Sequence, residues 1–153
     1  MDPASASVAF IGVAASLTTL ATLVIDSSKT LYNVPRKVKK APKDIKDLVR
    51  QLKAFECLLL EAQERIQVHR AEYFAPGVGT LFTTAVEHML ADLRDFEDAV
   101  LKLRGLLSAP ASPRDSPLLR IRHILQEDGV QEYQRLISFH MATLTLLLEV
   151  LTR

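Results

Sequence analysis

Cysteine is nearly missing from this 153-residue chain: Cys57 stands alone. Without a second thiol there is no intramolecular disulfide, and no cysteine-based metal cage. A lone cysteine suits a reducing compartment. Overall charge bias is missing too, because 19 Lys and Arg face 18 Asp and Glu. A formal net charge of +1 exerts no global pull toward nucleic acid or acidic substrates. No stretch alternates apolar and polar residues with the period of two that a half-buried strand requires. Familiar catalytic patterns are absent as well: there is no His-Glu-x-x-His, no Glu three residues before a His as in di-iron bundles, and no Gly-x-Ser-x-Gly elbow. The "GVGT" of Gly77 to Thr80 lacks the ending of a phosphate loop and the third glycine of a dinucleotide fingerprint, so it reads as a turn. No enzyme, metal, cofactor, nucleic acid or small-molecule substrate is expected.

What is present is helical. At 153 residues, one domain spanning 1–153 is expected, large enough to bury about two thirds of the surface its unfolded chain exposes. Breakers cluster at "NVPRKVKKAP", "APGVG" and "SAPASPRDSP", dividing the chain into four long segments. In the second, Ile45, Leu48, Leu52, Phe55, Leu59, Ala62, Ile66, His69 and Tyr73 follow alternating steps of three and four, which sets them on one stripe. Phe82, Val86, Met89, Leu93, Phe96, Val100, Leu103 and Leu107 repeat the rhythm in the third. In the fourth, a short helix starts at Ser116 and Pro117, "EDG" interrupts it, and Val130, Tyr133, Ile137, His140, Leu144, Leu147 and Leu151 resume the stripe. The spacing predicts helices at about 5–34, 43–75, 80–107, 117–126 and 129–152. The expected fold is all-α: an up-down-up-down four-helix bundle with long helices and a short extra helix before the last. Sequential neighbours are expected to run antiparallel. His69 and His140 read as hydrogen-bonded core histidines, Cys57 as a small core residue, and Tyr73 and Tyr133 as core-edge aromatics.

The first segment is the unusual one. From Val8 to Ile25, 18 residues carry no charge, which is about the length that a helix needs to cross a bilayer. Yet Phe10, Val13, Leu17, Leu20, Val24, Leu31 and Val34 keep a three-four stripe, with a polar miss at Ser27. A membrane span has no need of such a stripe. The "MDPAS" start lacks the basic region of a secretory signal, and no arginine precedes Arg36 to make a mitochondrial presequence. Ser5 or Ser7 is expected to cap a structured, mature N-terminus. Directly after this helix, Arg36, Lys37, Lys39, Lys40, Lys43, Lys46 and Arg50 face only Asp44 and Asp47, a local excess of +5 that leaves −4 for the rest. Such a block attracts anionic lipid at about 1 kcal/mol per basic side chain near the surface, although a solvated loop would look the same.

Three stretches together resemble a known family: "MDPASASVAFIGVAASLTTLATLVID", "VKKAPKDIKDLVRQLKAFECLLLEAQE" and "RIRHILQEDGVQEYQRLISFHMATLTLLLEVL". They are similar to the N-terminal domains of fungal STAND proteins, the NLR-like receptors, and to the HeLo-like group among them. The pattern is "MDP" plus small residues, a greasy first helix, a Pro-x-x-Ile start at Pro42 to Ile45, and a broken last pair of helices. Relatives often carry a Trp near the last segment, where this chain offers Ile121 or Ile124.

The resemblance implies an effector or signalling domain that acts in cell death or heterokaryon incompatibility by targeting or permeabilising a membrane through its N-terminal helix. Phe10, Ile11, Val13, Leu17, Leu20, Leu23 and Val24 would then enter lipid, while Arg36, Lys37, Lys39, Lys40, Lys43 and Lys46 would meet anionic headgroups. The domain would be cytoplasmic at rest and at the plasma membrane when active. Its partners would be anionic lipids and itself or related bundles; the alternative is a homotypic or heterotypic interaction bundle without membrane activity.

Overall fold

A computed structural model describes residues 3–37, 43–68, 77–108 and 127–151, with side chains over 11–33, 43–68, 77–106 and 129–150. These residues form five helices and, among them, no strand. We number them α1 (Pro3–Lys37), α2 (Lys43–Val68), α3 (Val78–Asp92), α4 (Arg94–Ser108) and α5 (Glu127–Leu151). The expected short helix at 117–126, together with His69 and Tyr73, lies outside the described residues.

Helix α1 is 35 residues long, about 50 Å at 1.5 Å per residue. It starts earlier than expected, at Pro3, a residue tolerated at a first helical position because its missing N–H has no partner there anyway. Ser5 and Ser7 therefore lie inside the helix rather than capping it. Its stripe is deeply buried: Val13, Leu17, Leu20, Val24 and Leu31 have no exposed surface. Ser27 interrupts that stripe in polarity but not in position, since it is buried too. Helix α2 presents the expected row from Ile45 to Ile66, joined by Val49. Cys57, in contrast, is exposed, because it falls on the opposite side from Phe55 and Leu59.

The third segment departs from its predicted form. In place of one helix over 80–107 there are two, separated at Leu93, where φ is −91° and ψ is 2°. The hydrogen-bond ladder nonetheless passes through: Leu93 N donates to Met89 O at 3.0 Å, and Glu97 N donates to Leu93 O at 2.9 Å. The buried row from Phe82 through Leu93 and Phe96 to Leu103 is likewise continuous, so α3 and α4 act as one bent rod. At its start Gly77 has φ 88° and accepts a bond from Leu81 N at 2.9 Å. That left-handed conformation is what a Cβ disfavours. Helix α5 also starts early, taking Glu127, Asp128 and Gly129 into its first turn instead of being interrupted by them.

Cross-helix contacts fix the packing. Lys53 Nζ lies 4.7 Å from the Tyr32 ring centre, and Gln63 Nε2 donates to Thr18 Oγ1 at 3.3 Å, so α1 and α2 are antiparallel. Gly12 sits by Thr83 and Thr30 by Arg104, so α1 runs parallel to α3 and α4. Gln134 Nε2 donates to Asp44 O at 3.3 Å, and Gln51 Nε2 to Ser138 Oγ at 2.5 Å, setting α5 parallel to α2. His140 meets Asp92, and the rings of Phe96 and Tyr133 lie 5.0 Å apart, making α5 antiparallel to the bent rod. Direction alternates along the chain as expected. However, α2 and α3 are not spatial neighbours: each packs on α1 and on α5, and they share no extended contact among the described residues. The helical bundle places α1 against α2, α3 and α4, which makes it a central packing element.

Candidate functional site

The proposed insertion residues divide by face. Val13, Leu17, Leu20 and Val24 are core, packed around with Phe55, Phe82 and Phe96 in one hydrophobic cluster. Leu23 is half-buried against it, whereas Ile11 is 65% exposed. Phe10 belongs to α1 by its backbone, and its side chain is outside the described set. The exposed side of α1 carries Ala15, Thr18, Thr19 and Thr22 and no charge until Asp26. Its hydroxyls turn inward on the helix: Thr18 donates to Ala14 O at 2.9 Å, Thr19 to Ala15 O at 3.1 Å and Thr22 to Thr18 O at 2.9 Å. Ile11–Asn33, with mean hydropathy 1.4, is long and apolar enough to span a bilayer, a test that a buried core helix also passes.

The basic block is split between elements. Arg36 and Lys37 form the end of α1, and Lys43 and Lys46 stand exposed on the first turn of α2; Lys39 and Lys40 lie outside the described residues. Arg50, one turn on, pairs with Asp47 at 3.8 Å.

Two features were not foreseen. Between α1 and α4 a groove of about 390 Å³ opens, with Leu23, Ser27 and Val100 inside and Asp26, Glu97 and Arg104 on its rim. Arg104 donates from Nε and Nη2 to Thr30 Oγ1 at 3.2 and 3.0 Å. A space between helices depends on their separation, which no periodicity reveals. At the Leu93 bend, His140 Nε2 lies 3.1 Å from Asp92 Oδ2 without a well-aligned hydrogen bond, although the imidazole is almost wholly buried. Burial lowers the His140 pKa below its ordinary 6.5, and the Asp92 charge opposes that shift only in part. His140 was legible as a stripe residue; its acidic neighbour, on a distant segment, was not. No group of three His, Cys, Asp or Glu that could hold a metal occurs among the described residues.

Residues 8–152 match the family model described as pigment biosynthesis cluster protein PigL N-terminal. The chain belongs to that family. No curated protein matches it, and no solved structure does. The PigL N-terminal family thus embraces all five helices, from the uncharged part of α1 to the end of α5.

Proposed function

We propose that this domain is a non-enzymatic effector or signalling module of the kind its sequence resembles, the HeLo-like N-terminal domains of fungal NLR-like proteins. On this reading the rods form an up-down-up-down four-helix bundle that keeps α1 packed at rest. Release then delivers α1 to a membrane, with Lys43, Lys46 and the preceding basic residues against anionic headgroups. The domain would be cytoplasmic until then, and its output would be cell death or incompatibility. The observation that carries the reading is the outer side of α1: packing requires only the inner stripe to be apolar, yet the exposed positions from Ile11 to Ile25 are uncharged as well. The matched family's description places its members with pigment biosynthesis clusters, where such a module would act as a control element rather than a catalyst.

Vesicles containing phosphatidylserine test this with the whole 153-residue chain. Leu17→Lys would not be informative, because Leu17 is core and its loss unfolds the domain. Leu17→Ala loosens α1 and is expected to increase vesicle binding and leakage; adding Ile11→Lys and Thr19→Lys on the exposed side should abolish the gain. A loosened domain that gains no affinity for these vesicles would refute the reading.

A second reading, assembly with another copy or a related bundle, has its own support. On α5, Leu136, Phe139, Thr143, Leu146 and Val150 follow steps of three and four along one flank of the buried row, with Leu136 and Thr143 half-buried and the other three exposed. Phe139 is 65% and Leu146 62% exposed. A narrow stripe of that spacing is what a partner helix packs against. Light scattering distinguishes the cases: self-association lost on Phe139→Glu with Leu146→Glu favours assembly, and a strict monomer at high concentration rules out self-assembly.

A further inference from the structure

We propose that α5 pairs with α5 of a second copy, antiparallel, about a two-fold axis at Ala142. The inference rests on the assembly reading above and supplies its geometry. It starts from the two most exposed members of the apolar stripe, Phe139 and Leu146, which also belong to a second line on α5, opposite the buried row. Along that line Arg135, Phe139, Ala142, Leu146 and Glu149 step by four, three, four and three, and all five are exposed. Ile137, Leu144 and Leu148 hold the inner row, so the core does not call for Phe139 or Leu146.

Read outward from its centre, the line is nearly symmetric in shape and opposite in charge. Arg135 and Glu149 each stand seven residues from Ala142, about 10 Å along the axis, while Phe139 and Leu146 stand three and four away. A second α5 laid antiparallel over the first therefore sets Arg135 against the partner's Glu149, twice, and Phe139 against the partner's Leu146 to within about 1.5 Å. A parallel pair would oppose like charges at both ends. Ala142, at the axis, has little side chain to hold the two backbones apart. Because each half of the line carries what the other half lacks, its complement is another copy of this chain rather than an unrelated bundle. Polar neighbours add little resistance: Thr143 and Thr145 donate to Phe139 O at 3.0 Å and Met141 O at 2.8 Å, within their own helix. Arg135 meets Glu132 at 3.2 Å, an exposed pair that exchanges partners at little cost.

Sedimentation equilibrium on the 153-residue chain tests the pairing. The wild type is expected to dimerise reversibly, and Phe139→Glu with Leu146→Glu to be monomeric. Arg135→Glu or Glu149→Arg alone should each weaken the dimer about tenfold, since the two-fold counts every lost attraction and new repulsion twice. The two single variants mixed in equal amounts should recover wild-type association, as should both changes made in one chain. All of these positions are exposed, so melting temperatures should stay close to wild type. Dimers that depend on Phe139 and Leu146 but ignore the charge reversals, or weakened variants that mixing does not rescue, overturn the antiparallel pairing and leave assembly through α5 standing. A wild type that stays monomeric at about 1 mM overturns both.

Discussion

The two ends of the bundle share a core and differ in surface. One end, made by the starts of α1 and α3 and the finishes of α2 and α5, exposes Ile11, Val68, Leu81, Leu146 and Val150. Among the described residues its charges come from α2 and α5 alone, as Glu61, Glu64, Arg65 and Glu149: α1 has none before Asp26, and α3 none before Glu87. The other end brings together Asp26 and Lys29, the Lys43 to Arg50 turns of α2, the Arg94 to Arg104 stretch of α4 and Glu132 with Arg135. Buried stripes pass through both without a change of character, from Val13 to Leu31 in α1 and from Phe82 to Leu103 in the bent rod. Packing therefore does not dictate the contrast. A surface difference that folding does not require is where a partner's preference is to be sought.

Core substitutions should erase the contrast, and they carry the largest effect. Phe82→Ala near the end that starts α1 and Phe96→Ala nearer the other should each cost about 3–5 kcal/mol, read as denaturant midpoints with unchanged slope. A loss at one end only would show that the two ends do not share one cooperative core. Gly77→Ala comes next. Nothing lies within 4 Å of the added Cβ, so the cost is the left-handed backbone alone, about 1–2 kcal/mol.

A pH series probes the middle of the molecule, at the bend. His140 has a lower pKa folded than unfolded, so below the ordinary 6.5 the unfolded state binds the extra proton first. Stability should be full above that value and fall as the pH drops through it toward the folded pKa. Asp92→Asn removes the opposing charge and should steepen the acid loss, while His140→Gln should flatten it. Urea melts at several pH values between 7.5 and 5 check the order of the three proteins. Smallest of all, Arg50→Ala and Arg135→Ala at the charged end should change stability by no more than about 0.5 kcal/mol, since their partners Asp47 and Glu132 are exposed pairs. In contrast, Lys43→Gln with Lys46→Gln should leave melting unchanged and lower any affinity for anionic vesicles.

Local periodicity made much of this legible. The α2 stripe from Ile45 to Ile66 and the α5 stripe from Val130 to Leu148 are buried where spacing predicts, because an amphipathic helix writes its inner face into the sequence. The break at Leu93 was hidden, since neither proline nor glycine marks it and the apolar row continues across it. The diagonal placement of α2 and α3 was hidden for another reason: packing order is decided by long-range fit, and short connections only suggest it. Cys57 was misjudged because it stands two residues from both Phe55 and Leu59, which at about 100° per residue puts it on the far side of the helix, in solvent.

The threonines of α1 have one more consequence. A helix with free hydroxyls on its outer side is tied to water, because each would lose hydration on entering any drier surrounding. Thr18, Thr19 and Thr22 instead each give their proton to a carbonyl four residues back. In that sense α1 carries part of its solvent with it, and its outer side would lose less on meeting an apolar neighbour than a count of its polar residues suggests.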